Sequence, residues 1–191
     1  KAEPHPLSEY GVTKLRAEEA VRESGIPHAI LRVPWGYGSG MTPDTHIRFL
    51  TTGVAASSLF SKIAFPGKVS IVAAGDLVDN FVMIAERAEA ENQTFFTSDN
   101  RALSLGHLFR TYASVIGKPH RMLPVPGFVS ALARALRRFM PLTLQNLNSD
   151  VLTVDPTRIM ELGYKPRIAQ RAGLSLLAQS LGHLKALDGD E

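Results

Sequence analysis

Tyr10 and Lys14 lie four residues apart, and that spacing can do acid–base chemistry. On a helix, residues i and i+4 share a face, so a phenol and an ammonium can point into one cleft. A fixed cation favours the phenolate and draws a tyrosine down from its ordinary pKa of about 10. Such a pair can trade protons with an alcohol or carbonyl oxygen near neutral pH. A partly exposed structural pair has the same spacing, so the surrounding elements must decide between the two readings.

Those elements read as an alternation of helices and strands. Ser8 is a good N-cap for a helix over residues 9–24, and Gly25 is placed to close it. Residues 26–33 (IPHAILRV) form a short buried strand. Residues 34–43 are rich in Gly and Pro and should form the loop that leaves it, where open α/β sheets bind ligands. Further on, the pattern predicts helices over 45–61, 76–90, 104–116, 128–139 and 170–187, with a short one N-capped by Asp155 and carrying Pro156 in its first turn. Strands are predicted at 68–73 and 93–97, with an extended stretch over 119–125. Asp76 is expected to cap its helix, and Asp79 to lie near the positive end of that helix. Capping accounts for both carboxylates without catalysis.

Several function classes fall away. The chain has no cysteine, which removes thiolate metal sites and cysteine nucleophiles. Its six histidines show no ligand spacing, so no metal site is expected. A net charge of +3 without a long basic run gives no reason to expect nucleic acid. No apolar run reaches the length of a membrane span, and a cytoplasmic protein is expected. The run Gly36-Tyr37-Gly38-Ser39-Gly40 follows a strand but has Met41 where a dinucleotide fingerprint needs glycine. It therefore reads as a flexible loop with several positive-φ positions. The helix 128–139 carries Arg134, Arg137 and Arg138. It could lie on an acidic membrane, but packing on its apolar face with solvated arginines is the expected arrangement.

Taken in order, the segments "PLSEYGVTKLRAEEAV", "AILRVPWGYGSGM", "VSIVAAGDLVDNFVMIAE", "TFFTSDNRALSLGHLF", "IGKPHRMLPVP" and "DPTRIMELGYKPRI" resemble the C-terminal half of an extended short-chain dehydrogenase/reductase of the NAD-dependent epimerase/dehydratase group. The resemblance covers nearly the whole chain. It implies an α/β fold: part of a Rossmann-type parallel sheet (residues 1–40 and 66–92) plus a small α/β substrate-binding subdomain (41–65 and 93–191). It implies NAD or NADP as cofactor and a small hydroxy or keto substrate. Tyr10 would be the catalytic acid/base. Lys14 would be its partner and would also reach the nicotinamide ribose, so both count as cofactor-binding. Val33, Pro34 and Gly36 would lie along the nicotinamide, and Trp35 would face the substrate. A homodimer is implied too, since many relatives pair through the helix that bears the Tyr/Lys motif.

The departures from the family pattern are specific. Val33 replaces a frequent proline, and Trp35 replaces the asparagine common in nucleotide-sugar epimerases. Val69 stands where those enzymes often carry a diphosphate-binding arginine. The family's glycine-rich loop and its Ser/Thr precede the tyrosine, so the 191 residues alone are expected to lack a competent cofactor site and to expose a sheet edge. The rival expectations are a non-catalytic relative serving as a binding or regulatory module, and a peripheral membrane protein.

Overall fold

The computed structural model describes residues 4–6, 8–40, 47–99, 101–140, 145, 147–148, 150 and 152–184. Ser8 caps α1 (Glu9–Glu23), its Oγ accepting the Gly11 amide at 3.1 Å. Gly25, at φ +70°, turns the chain out of the helix. It leads into β1 (Ala29–Arg32), which pairs in parallel with β6 (Gln93–Phe96). No other strand among the described residues pairs with β1, so its second edge is open.

Residue alternation divides β1 between two faces. Ala29 and Leu31 pack on a small core of Ile84, Ala90, Phe95, Ile159 and Tyr164. Arg32 points the other way, toward α1. The buried side of α3 (Ala74–Glu86) closes the first face, while α1 lies over the second.

Residues 34–43 are not wholly loop. Trp35–Tyr37 form β2, paired in parallel with β5 (Ile71–Ala73) in the register Trp35↔Ile71, Gly36↔Val72, Tyr37↔Ala73. Composition alone hid this strand, because its pairing partner lies 36 residues away along the chain. The expected positive-φ glycines are Gly38 (φ +151°) and Gly40 (φ +77°), beyond its end. The strand expected over 68–73 is interrupted at Ser70, between β4 (Lys68–Val69) and β5. Ser70 accepts the Trp35 amide and donates its own to Leu152, and its hydroxyl accepts from Val154. Its neighbour Val69 pairs antiparallel with β7 (Leu103–Ser104) and bridges to Leu152.

The larger core surrounds α4 (Leu105–Val115). Leu108, Phe109 and Tyr112 of α4 meet Leu174 and Leu177 of the helix Gln170–Ser180. Gly106 lies under β3 (Ile63–Ala64), and a Cβ there would stand 2.7 Å from the Ala64 backbone. Helix α2 (Ile47–Ala55) also packs on α4. Strand β3 pairs in parallel with β8 (Leu123–Pro124). Further helices are α5 (Gly127–Ala135), α6 (Thr157–Glu161) and α7 (Gln170–Ser180). The start expected at residue 45 for α2, and the end expected at 187 for α7, lie outside the described residues.

Three expectations about helices need correction. Asp76 does not cap α3: the N-cap is Ala73, with no side-chain bond. The Asp76 carboxylate is buried in the first turn and accepts the amides of Arg167 and Ile168 at 3.1–3.2 Å. It therefore ties α3 to the segment entering α7, and Asp79 pairs with the Arg167 guanidinium above it. The cap of α6 is likewise shifted: Asp155 accepts the amide and hydroxyl of Thr157 from one residue before the N-cap, Pro156. The third correction is α5, which stops at Ala135 before a 3-10 turn over Arg137–Phe139 and buries none of its residues. Its apolar face is not packed.

The buried Asp76 staple gives a sharp test. Asp76→Ala would leave two amide donors without an acceptor, and it is expected to lower unfolding free energy by about 2–4 kcal/mol. Asp79→Ala removes only an exposed ion pair and is expected to change it by less than about 1 kcal/mol. Urea unfolding of the two variants measures the difference, and equal losses would refute the staple.

Candidate active site

Helix α1 presents two adjacent lines of residues. Gly11, Leu15 and Glu18 are half-buried toward the sheet, whereas Tyr10 and Lys14 are exposed. A Cβ at Gly11 would stand 3.0 Å from the Pro6 side chain, so the Pro6 segment would have to give slightly to accept one. The Lys14 Nζ sits 5.5 Å from the centre of the Tyr10 ring, so the two side chains share one side of the helix with the ammonium over the ring. Tyr10 is 71% exposed. Attraction across such a pair is weak in water and grows several-fold where water is excluded.

What holds this helix in place is polar. Glu18 accepts from Arg32 Nε and Nη2 at 2.8 Å each, and from Arg22 Nη2 at 2.7 Å. Arg22 also reaches Thr94 Oγ1 of β6 at 3.3 Å. The bidentate bonds from Arg32, reinforced by Arg22, hold the Glu18 carboxyl below its ordinary pKa despite partial burial. The same bonds hold the Arg32 guanidinium above its own. Arg32 stacks on the Phe96 ring at 5.4 Å as well. Neither Glu18 nor Arg32 stood out in the sequence. The available signals were an arginine inside an otherwise apolar strand and a glutamate four residues beyond Lys14.

Arg32 is the last residue of β1, so the clamp sits directly before Val33, Pro34, Trp35 and Gly36. Val33 is 39% exposed. Pro34 and Gly36 are half-buried, and a Cβ on Gly36 would meet nothing within 4 Å. Trp35 turns onto the larger core and is only partly buried there. Residues 33–36 thus form one continuous run whose tie to the Tyr10/Lys14 helix passes through Glu18 and Arg32.

A second polar cluster lies at the far end of β2. Tyr37 is buried, and its hydroxyl donates to Asp99 Oδ2 at 2.7 Å, while the Ala73 amide donates to Oδ1 at 3.2 Å. The Asp99 amide in turn reaches the Ile71 carbonyl at 2.7 Å. Burial pushes the Asp99 carboxyl up to about 6, against the lowering bonds from Tyr37 and Ala73. Burial, then the charge of Asp99, pushes the Tyr37 phenol well above its ordinary value. Asp99 also lines a cavity of about 350 Å³ with Arg101, Pro166 and Gln170.

These pairs respond oppositely to pH. Glu18 has a depressed folded pKa, so its contribution is present above the unfolded carboxylate range and is lost as pH falls through it. Asp99 binds its proton more tightly folded than unfolded, so its contribution declines as pH rises from about 4 to about 6. Asp99→Asn is expected to remove that decline from a plot of unfolding midpoint against pH, and an unchanged slope would refute the assignment. A double-mutant cycle of Glu18→Gln and Arg32→Met is expected to give a coupling of about 1 kcal/mol, modest because both side chains retain solvent contact.

Residues 1–62 match the family described as the RmlD substrate binding domain. Over 182 residues the chain is 29% identical to a UDP-glucose 4-epimerase of Vibrio cholerae, covering 92% of this chain and 54% of that protein. A UDP-glucuronic acid 4-epimerase from Bacillus cereus in complex with NAD superposes at TM-score 0.71 with 18% identity, over 97% of this chain and 54% of that one. RMD from Pseudomonas aeruginosa complexed with NADPH gives 0.67 at 14% identity, over 93% and 57%. The chain therefore spans about half the length of the relatives it matches. The fold is the α/β architecture of Rossmann-type epimerases, and the parallel pairs β1–β6 and β2–β5 agree with it. By sequence over most of its length, and by fold, this chain is similar to epimerases of this kind.

Proposed function

We propose that the protein carrying this chain is an NAD(P)-dependent oxidoreductase of the epimerase/dehydratase type, acting on a small hydroxy or keto substrate. The observation that supports this most directly is the Tyr10/Lys14 pair, in contact on a helix clamped to the strand that leads into residues 33–36. The Tyr10 hydroxyl gives or takes the proton of the substrate oxygen, and Lys14 stabilises the phenolate from beside the ring. The cofactor, when bound, supplies or accepts the hydride. Val33, Pro34 and Gly36 fit the nicotinamide end of such a group: Val33 is exposed, and the space over Gly36 is open. No glycine fingerprint for the phosphates occurs in these 191 residues. We assign residues 1–40 and 66–92, together with strand β6 that pairs with β1, to the sheet that carries the acid–base helix, and 41–65 and the rest of 93–191 to the substrate side.

Two positions bear on the substrate. Val69 is fully buried and paired with Leu103, where an arginine would be needed to meet a diphosphate from that position. Trp35 contributes an apolar ring where a sugar-nucleotide enzyme commonly offers an amide. Both favour a less anionic, more apolar hydroxy or keto compound than the UDP-sugars named for the relatives. We further propose a cytoplasmic homodimer, in which pairing through α1 uses a side of the helix other than the one bearing Tyr10 and Lys14, because substrate and cofactor must reach that pair.

In the intact protein, Tyr10→Phe is expected to lower kcat about 10²–10⁴-fold with NAD(P) binding retained. Lys14→Met is expected to lower both kcat and cofactor affinity. Steady-state turnover alongside cofactor titration separates the two effects. Undiminished turnover in Tyr10→Phe would defeat the acid–base assignment and favour a binding module.

A further inference from the structure

Helix α5 is arranged the wrong way round for a helix whose neighbours are all present. Its half-buried positions are Ser130 and Ala133, both small. Its large apolar residues face solvent: Phe128 is 75% exposed and Leu132 58%, and in the turn that follows Phe139 is 71% exposed. Phe128, Leu132 and Leu136 recur every four residues, the spacing of one helical stripe. An apolar stripe of this kind needs a cover.

The charge along this stretch of the chain indicates what kind. Residues 121–149 contain four Arg and no Asp or Glu, although the whole chain carries only +3. Arg134 and Arg138 are exposed beside the stripe, and the Arg138 guanidinium lies over the Phe139 ring at 4.7 Å. A second protein with an acidic groove would match the arginines, but two exposed phenylalanines at either end of a short stripe suit insertion among acyl chains. A nucleic acid would leave the leucines uncovered. At nine residues α5 is far too short to cross a bilayer, and no described helix is long and apolar enough to do so.

We propose that α5 and the turn after it form an interfacial docking surface for an anionic phospholipid bilayer. Phe128, Leu132, Leu136 and Phe139 enter the headgroup–acyl boundary, and Arg134 and Arg138 meet the lipid phosphates. The surface is independent of the Tyr10/Lys14 assignment, and it leaves the rest of the molecule on the aqueous side.

Sedimentation of the intact protein with vesicles tests this directly. The protein is expected to pellet with phosphatidylcholine–phosphatidylglycerol vesicles and not with phosphatidylcholine alone, with binding that weakens as salt is raised. The double variant Arg134→Gln/Arg138→Gln is expected to partition about thirtyfold more weakly. The variant Phe128→Ser/Leu132→Ser is expected to fall to background with its circular dichroism melt unchanged, since both side chains are already exposed. No pelleting with anionic vesicles at low salt would overturn the proposal, as would pelleting that survives Phe128→Ser/Leu132→Ser. A dimer seen by analytical ultracentrifugation, abolished by the same variant and accompanied by no vesicle binding, would assign the face to a second copy instead.

Discussion

The bidentate bond between Glu18 and Arg32 is the constraint on which the geometry of the candidate site depends. Helix α1 buries none of its residues, so apolar packing cannot fix its position as it fixes α4 against α7. Its hold on the sheet is electrostatic: a carboxylate on the inner line of the helix meets a guanidinium at the end of β1, and Arg22 joins from the next turn. A bidentate carboxylate–guanidinium pair constrains direction as well as distance. The outer line of the same helix, with Tyr10 and Lys14, is thereby set at a defined rotation about the helix axis. The residue that receives the clamp is also the last one before Val33, so a single interaction orients the helix bearing Tyr10 and Lys14 and begins the run of residues beside it.

The other polar anchors do similar work where the chain leaves a strand. Asp76 takes two amides from the approach to α7, and Asp99 takes the Tyr37 hydroxyl and the Ala73 amide. Each satisfies backbone or phenolic groups that burial would otherwise leave without partners, and the low polarity around them strengthens each bond. Both carboxylates lie just beyond β5 or β6, where the ends of parallel strands leave amides to be met. Gly75 contributes by letting the Ile168 side chain approach closely, since a Cβ there would come 2.7 Å from Ile168 Cδ1.

Local features were legible in the sequence, and non-local ones were not. Ser8 and Ser104 cap their helices as their positions suggested, and Gly25 and Gly117 adopt the positive φ of helix closure. Such preferences act within a single turn, so a short window contains all the physics. The Tyr10/Lys14 contact was readable for the same reason. Strand β2 was not, because its pairing lies with residues 71–73. Asp76 was misjudged because a carboxylate in a first turn looks like a cap until a segment some ninety residues away takes its oxygens. Glu18 and Arg32 belong in the same class: each type is ordinary by itself, and only the fold makes them a pair. Helix α5 shows a further limit. Periodicity reveals that a helix has an apolar face but carries no information about what covers it.

Two exposed surfaces are consequently of different physical kinds. The outer line of α1 displays a charge and a phenol, groups that water satisfies well, so its exposure costs little. Covering it would strengthen the attraction between Lys14 and a phenolate by lowering the local dielectric, so the proposed acid–base role would be favoured by exclusion of water. The outer line of α5 displays aliphatic and aromatic carbon, whose exposure is itself unfavourable. Covering it releases free energy directly and needs no reaction to justify it. One surface gains function from dehydration, the other gains stability. Because these demands differ, the same α/β framework can keep a polar Tyr/Lys pair on one helix and an apolar stripe on another without either determining the other.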